Sequence, residues 1–204
     1  MSTPRAIDRE PLNDITAVIL AGGHSARMGR DKALLPFAGT PLLLGLIATM
    51  RRLFSQVLVA GGDPARYPDL PVPVVPDLFP GRGAMAGLHA GIAHAATPRI
   101  FALACDTPFP EIALIHRLAR LDPGADWVLP HTASGHEPLF AVYSQACRPA
   151  MEKLLAAGKS RILLLAETVR TRLVEEDELR RYDPELRSFI NLNTPEDLRR
   201  HAAR

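Results

Sequence analysis

Residues 15–32 read ITAVILAGGHSARMGRDK, an apolar run that leads directly into a glycine-rich, basic segment. The apolar run over 15–20 predicts a buried β-strand. Glycines 22, 23 and 29 let the following backbone turn its N–H groups inward, which predicts an anion-binding concavity. Arg27 and Lys32 carry the positive charge that phosphate oxygens need, so this segment is predicted to hold the phosphates of a nucleoside triphosphate.

A purely structural turn is the alternative for this segment, because glycines commonly follow strands in α/β folds. The spacing is not that of a Walker motif, since five residues separate Gly23 from Gly29 and no Ser or Thr follows Lys32. It is not G-x-G-x-x-G either, which argues against a dinucleotide cofactor.

Length and charge narrow the class of protein. A chain of 204 residues with 47% hydrophobic content predicts one globular domain over 15–204, preceded by a mobile lead-in over 1–14 that lacks a signal-peptide core. A formal net charge of +2 disfavours nucleic acid as a partner, and no apolar run is long enough to span a membrane. We therefore expect a cytoplasmic protein, and its two cysteines are too few for a disulfide framework.

Alternating strand and helix patterns predict the fold. Strand-like runs at 15–20, 56–60, 72–75 and 100–104 are separated by helical patterns, the first of them capped by Thr40 with Pro41 in its first turn. This rhythm indicates a Rossmann-like, doubly wound α/β fold with a mainly parallel sheet. The first and fourth strands of such a sheet commonly flank the ligand crevice, so Asp106 is expected to face the glycine-rich loop.

The second half of the chain is less regular and predicts a mixed C-terminal part of the sheet. Strands are expected over 127–130 and 137–143, and a helix over 145–157. Ser160 is predicted to cap a further short helix, and Thr194 to cap the last one.

Asp106 is the candidate metal ligand, because it follows the apolar strand over 100–104. Mg²⁺ takes one or two carboxylates and completes its shell with phosphates and water, so a sparse protein site is expected. The alternative role for Asp106 is a helix cap ahead of Pro108.

Several segments together resemble one family. These are LAGGHSARMGRDKALLPFAGTPLL at 20–43, VPD at 75–77, PGRGAMAGL at 80–88, ACDTPF at 104–109, HEPLF at 136–140 and FINLNTPEDL at 189–198. In this order they are similar to nucleotidyltransferases that activate small phosphorylated molecules, in particular molybdenum-cofactor guanylyltransferases of the MobA type. The chain departs from the family pattern at Ala84-Met85, where Pro-Leu is usual, and at Ala60, where Asn is frequent.

The resemblance implies that GMP is transferred from GTP to molybdopterin or its molybdenum form, with release of pyrophosphate. It implies Mg²⁺ on Asp106, with Asp106, Lys32 and Arg27 as the catalytic residues, and contact with recipient molybdoenzymes. Nucleotide contacts are expected from Leu20, Ala21, Gly22, Gly23, Lys32, Asp77 and Asp106, and acceptor contacts from Asn191, Asn193 and His136.

Other roles are open for some of these residues. Asp77 sits between two prolines and also suits a turn, while Asn191 and Asn193 also suit turn and cap chemistry. The proximity of His131 and His136 in the sequence suggests a pair of metal ligands, but no further Cys or His supports a zinc site.

Two other functions are also open. One is transfer of a cytidylyl or other nucleotidyl group to molybdopterin or a sugar phosphate, although Gly23 in Leu-Ala-Gly-Gly resembles the guanine-selective group. The other is a non-catalytic nucleotide-binding or cofactor-delivery module.

Overall fold

The computed structural model describes residues 10–21, 33, 36–37, 39–192 and 197 of this chain. Several predictions lie outside these residues, namely those for Gly22, Gly23, Arg27, Lys32, Asn193 and the helix start at Thr194. Asp197 is described and is helical.

One large sheet organises the chain. The described strands are, in chain order, β1 (Leu12–Leu20), β2 (Pro36–Phe37), β3 (Thr40–Pro41), β4 (Phe54–Ala60), β5 (Val74–Val75), β6 (Arg99–Ala104), β7 (Trp127–Thr132), β8 (Gly135–His136), β9 (Phe140–Ser144) and β10 (Thr171–Val174). β2 and β3 form a separate antiparallel hairpin. The other eight form one sheet in the order β10-β7-β9-β6-β1-β4-β5, with β8 paired to β7.

The sheet is parallel in one half and mixed in the other, as the sequence predicts. β1 lies at the centre of the parallel half, between β4 and β6, and β5 extends this half beyond β4. β9 runs antiparallel to both β6 and β7, while β10 is parallel to β7. A strand buried on both faces favours apolar side chains, which explains why residues 15–20 of β1 are apolar except for the buried Thr16.

Helices cover both faces of the sheet. They are α1 (Leu42–Met50), α2 (Ala84–His94), α3 (Ile112–Leu121), α4 (Cys147–Ala156) and the short α5 (Glu176–Leu179), and 3₁₀ helices span Pro64–Arg66, Ile162–Glu167 and Arg187–Phe189. The apolar sides of α1 and α3 pack on one face of the sheet, and those of α2 and α4 pack on the other. The molecule is therefore doubly wound. No helix in the described part of the chain has the length and apolar character that crossing a membrane requires.

Two predicted helix caps are wrong. α1 begins at Leu42 without a side-chain cap, because Thr40 and Pro41 are used in the β2–β3 hairpin. The helix after α4 is a 3₁₀ helix that starts at Ile162, with Arg161 rather than Ser160 in the cap position.

The strand predicted over 137–143 is also wrong as a single element. β8 ends at His136 and β9 starts at Phe140, with a turn at Pro138 between them. Proline has no N–H to donate to a strand ladder, which accounts for the interruption. At the amino end, β1 begins at the fully buried Leu12, three residues before the start predicted from the apolar run.

Candidate active site

The carboxyl ends of three parallel strands form the floor of the site. Leu20 is in register with Ala104 on one side and with Ala60 on the other. The amide of Cys105 donates to the carbonyl of Leu20 at 3.0 Å, and the amide of Ala21 donates to that of Ala60 at 3.0 Å. The chain that continues from Ala21 and the chain that continues to Asp106 therefore leave the sheet side by side, as a doubly wound topology requires.

A buried tyrosine contacts the start of the glycine-rich segment. The hydroxyl of Tyr67 donates to the carbonyl of Ala21 at 3.3 Å, and this side chain is 4% exposed. Its ring lies against Gly62, where a Cβ would come within 2.8 Å of Tyr67 Cε2. Glycine at position 62 thus leaves the space that the tyrosine ring occupies.

Helix α2 lies unusually close to the same edge of the sheet. A Cβ on Gly87 would come within 2.9 Å of Leu20 Cδ2 and 3.3 Å of the Gly61 Cα. Small residues on this side of α2 let its first turns approach the ends of β1 and β4.

Asp77 lies at the far side of this edge, two residues beyond β5. The end of β5 is tied to the end of β4 by a hydrogen bond from the Gly61 amide to the Val75 carbonyl at 3.2 Å. Asp77 Oδ1 is buried, and no group within the described residues donates a hydrogen bond to it. Burial raises the pKa of Asp77 above its ordinary value, because water no longer stabilises the charged form. A buried carboxylate oxygen of this kind is suited to accept a hydrogen bond from a ligand.

A cleft of about 250 Å³ lies at the carboxyl end of β6. It is lined by Ala104, Asp106, Thr107, Glu137, Pro138, Leu139, Phe140, Ser188, Phe189 and Asn191. The Ala104 amide donates to the Leu139 carbonyl at 3.0 Å, and the Leu192 amide donates to the Asp106 carbonyl at 2.9 Å. These backbone hydrogen bonds join the end of β6 to the segment that contains Leu139 and to the segment that contains Leu192. The cleft therefore brings together Asp106 and Asn191, two of the site residues predicted from the sequence.

Glu137 also lines the cleft, although the sequence motifs predict no role for it. Its Oε1 accepts from the hydroxyl of Thr132 at 3.4 Å, and burial raises the pKa of this carboxyl. The available signal was its position directly before Pro138, because proline cannot donate to a strand ladder and weakens a strand assignment.

His136, expected on the acceptor side, does not line this cleft. It is exposed, and its ring lies 4.6 Å from that of His131, measured between centroids. His131 Nδ1 is 3.0 Å from Glu175 Oε2. In the part of the chain that the structure describes, no group of three or more His, Cys, Asp or Glu side chains is placed to hold a metal ion.

Comparisons with known proteins show the family to which the chain belongs. Residues 17–171 match the family of MobA-like NTP transferase domains. The chain belongs to this family. A probable molybdenum cofactor guanylyltransferase from Pelotomaculum thermopropionicum is 37% identical over 185 residues, which cover 90% of this chain and 89% of that protein. A molybdenum cofactor guanylyltransferase from Desulfosudis oleivorans is 34% identical, with 94% and 96% covered.

Solved structures of this MobA-like fold superpose over nearly the whole chain. Molybdopterin-guanine dinucleotide biosynthesis protein A from Archaeoglobus fulgidus has a TM-score of 0.82 at 26% identity and covers 93% of this chain and 97% of its own. A 2-C-methyl-D-erythritol 4-phosphate cytidylyltransferase from Thermus thermophilus has a TM-score of 0.68 at 20% identity, with 93% and 98% covered, a similarity of fold. The resemblance inferred from the sequence motifs is confirmed, and the chain is a nucleotidyltransferase of the MobA-like family.

Proposed function

We propose that this MobA-like protein transfers GMP from GTP to molybdopterin or its molybdenum form, giving the guanine dinucleotide and pyrophosphate. One observation carries the proposal: Leu20 and Ala104 are register partners, so Ala21, which precedes the glycine-rich segment in the sequence, and Asp106 follow adjacent strands at one edge. The names of the relatives from Pelotomaculum and Desulfosudis support guanylyl transfer to the molybdenum cofactor.

The reaction needs no protein nucleophile. An oxygen of the acceptor phosphate attacks the α-phosphorus of GTP, a new P–O bond forms, and the bond from that phosphorus to the bridging oxygen of the β-phosphate breaks. Pyrophosphate leaves with the electron pair. In the proposal, Lys32, Arg27 and the amides of Gly22 and Gly23 offset the negative charge on the β- and γ-phosphates, which is the main requirement for such a transfer.

Asp106 is the proposed ligand for Mg²⁺. Asp106 and Asn191 line the same cleft at the end of β6. A carboxylate and a side-chain amide supply the hard oxygen donors that this ion prefers. When bound there, Mg²⁺ would supply Lewis-acid polarisation of phosphate oxygens.

Asp77 is the proposed acceptor for the guanine base, together with backbone contacts from Leu20 and Ala21. Its buried Oδ1 supports this role, because guanine offers two N–H donors on one edge and an unpartnered buried acceptor penalises a base that lacks them. Asn191, Asn193 and His136 are proposed to contact the acceptor. A cytoplasmic location, where GTP is available, and contact with recipient molybdoenzymes are part of the proposal.

A pyrophosphate-release assay tests the function. The purified chain is incubated with molybdopterin and either GTP, CTP or ATP, with Mg²⁺ added or chelated. We expect release with GTP and Mg²⁺ that exceeds release with the other nucleotides. Preferred use of CTP would reassign the base, and absence of release with every nucleotide would leave a nucleotide-binding module.

A further inference from the structure

We propose that Glu137 recognises the pterin ring of the acceptor by accepting hydrogen bonds from its N3–H and 2-amino groups. The inference rests on the proposed function and extends it to a residue outside the sequence-predicted site. Glu137 follows directly after His136, the last residue of β8, and precedes β9.

The position of Glu137 separates it from the nucleotide side of the site. Asp77 follows β5, two strands away from β1 on one side, whereas Glu137 precedes β9, two strands away on the other side. β6, with Asp106 beyond its end, lies between β1 and β9. The order of the strands thus places one carboxylate on each side of the proposed centre of phosphoryl chemistry.

The backbone around Glu137 is fixed at several points. The amide of Glu137 donates to the Pro130 carbonyl at 2.9 Å, and its carbonyl accepts from the Phe140 amide at 3.2 Å. The next carbonyl, that of Pro138, accepts from the hydroxyl of Tyr143 at 2.7 Å. The backbone that carries this carboxylate is held in place before any ligand binds, which reduces the cost of ordering the segment on binding.

One oxygen of the Glu137 carboxylate remains available to a ligand. Oε1 accepts from Thr132, whose hydroxyl also lies 3.3 Å from the Gly135 carbonyl. Among the described residues, none donates a hydrogen bond to Oε2. A half-buried carboxylate with an open acceptor oxygen favours a partner that brings N–H donors, and the edge of a pterin ring brings two side by side.

The remaining walls of the cleft fit a flat, largely neutral ring. Phe140 and Phe189 stand edge to face with centroids 5.3 Å apart, and both line the cleft with Glu137. Its volume of about 250 Å³ falls just below the roughly 300–1,000 Å³ of pockets for drug-sized ligands, which suits one bicyclic ring. Two carboxylates, Asp106 and Glu137, disfavour a bare polyphosphate in the same space.

A pair of ring analogues isolates the proposed contact. 6-Hydroxymethylpterin carries the 2-amino group, whereas 6-hydroxymethyllumazine carries a carbonyl oxygen there and would face the carboxylate with an acceptor. Equilibrium binding of each compound is measured by its own fluorescence, with wild-type protein and with Glu137→Gln. We expect the wild type to bind the pterin at least about tenfold more tightly. Glu137→Gln should lose this preference, because its amide can donate to the lumazine carbonyl.

Steady-state kinetics with molybdopterin provide the second readout. Glu137→Gln should raise the KM for molybdopterin about tenfold or more, with kcat and the Kd for GTP within about twofold of wild type. Glu185→Gln, at an exposed glutamate that is not part of the cleft lining, is the matched control and should leave all three constants unchanged.

The outcomes separate this inference from the proposed function. A variant that still prefers the pterin, or that has a weakened Kd for GTP with an unchanged KM for molybdopterin, would overturn the assignment of Glu137 while guanylyl transfer stood. A wild type that releases no pyrophosphate with GTP and molybdopterin would overturn the proposed function, whatever the two ring analogues show. A changed Mg²⁺ requirement in Glu137→Gln with unchanged KM would make this residue a metal ligand instead.

Discussion

The hydroxyl of Tyr67 donates to the carbonyl of Ala21 at 3.3 Å, which joins the loop after β4 to the first residue beyond β1. Ala21 is also tied to β4 by the hydrogen bond from its amide to the Ala60 carbonyl. Both backbone polar groups of Ala21 are therefore engaged where the glycine-rich segment begins. Tyr67 is thus a positioning residue for the proposed nucleotide site.

Replacing this hydroxyl tests the relationship directly. Tyr67→Phe keeps the ring against Gly62 and removes a hydrogen bond worth about 1 kcal/mol. We expect the KM for GTP to rise about threefold to tenfold, with the KM for molybdopterin unchanged. Tyr182→Phe, at a side chain 36% exposed, is the control and should leave both constants as in wild type. Equal rises in the KM values for GTP and molybdopterin would show that Tyr67 does not act on the nucleotide side in particular, and a fall in kcat alone would indicate a loss of folded protein.

The packing of α2 on β1 predicts opposite effects at two helical glycines. A Cβ on Gly91 would overlap Val18 Cγ1, whereas a Cβ on Gly45 in α1 would meet no atom within 4 Å. Gly91→Ala should lower the free energy of unfolding by about 1–3 kcal/mol through overpacking. Gly45→Ala should raise it by about 0.5–1 kcal/mol, because alanine is the better helix former. Urea denaturation of both variants checks the prediction, and equal shifts would contradict it.

Cys147 should be unreactive in the folded protein. Neither this buried cysteine nor the half-buried Cys105 forms a disulfide. Burial raises the pKa of Cys147 from 9.0 to about 12. Since the thiolate is the nucleophile, iodoacetamide at pH 8 should modify a Cys105→Ser variant only after urea is added. Rapid modification of that variant without urea would contradict this.

The raised pKa of Cys147 makes the free energy of unfolding depend on pH in the alkaline range. Between about pH 9 and pH 12 the unfolded thiol loses its proton while the folded thiol keeps it, so the folded state binds more protons. Stability from this group is complete below pH 9 and is lost as the pH rises toward 12. Cys147→Ala should remove that part of the decline, measured by urea denaturation at pH 8 and pH 10.

The parallel half of the fold was predictable because its strands are buried on both faces. Ile100 to Ala104 is an uninterrupted apolar run, and Ile15 to Leu20 is broken only by Thr16. Such runs have few structural alternatives. The first few residues after each run could then be placed at the carboxyl edge by topology alone. This is why Asp106 emerged from the sequence as a site residue.

The acceptor side was not predictable to the same extent, since it depends on a turn. A single strand over 137–143 would have made Glu137 one member of an alternating pattern. In the structure, β8 ends at His136 and the chain turns at Pro138. His136 is therefore exposed beside His131, whereas Glu137 lies at the cleft. Thr40 was misassigned for a similar reason, because local cap chemistry does not reveal a partner strand at Pro36–Phe37.

Asp106→Asn should abolish most turnover without unfolding the protein. The amide has the size of the carboxylate but lacks the charge that a divalent cation needs. We expect kcat to fall by about two orders of magnitude or more, with a melting temperature within a few degrees of wild type. Asp69→Asn, at an exposed aspartate, is the matched control. Near-wild-type pyrophosphate release by Asp106→Asn at limiting Mg²⁺ would remove this residue from the proposed metal site.

We predict that the Asp77 carboxylate lowers the stability of the folded protein while it supports the selection of guanine. Its pKa is raised in the folded state, so the folded protein holds this proton more tightly than the unfolded chain does. The carboxylate therefore costs stability once the pH rises above its ordinary pKa of 3.8, and the cost vanishes below that value. Asp77→Asn should be at least as stable as wild type in urea at pH 7, and this advantage should shrink near pH 4.

The same substitution should weaken guanine selectivity, because an amide that replaces one carboxylate oxygen by NH₂ no longer offers two acceptors to the guanine N–H donors. Calorimetric titration with GTP, ITP and CTP in the presence of Mg²⁺ measures the effect. Wild type should prefer GTP to ITP, which lacks the 2-amino group, by about tenfold, and Asp77→Asn should narrow that ratio to about twofold. Asp63→Asn, at an exposed aspartate that caps the 3₁₀ helix at Pro64–Arg66, controls for loss of a surface charge on the same side of the sheet. A ratio that stays unchanged in Asp77→Asn would assign guanine selection to other groups and leave Asp77 as a turn residue.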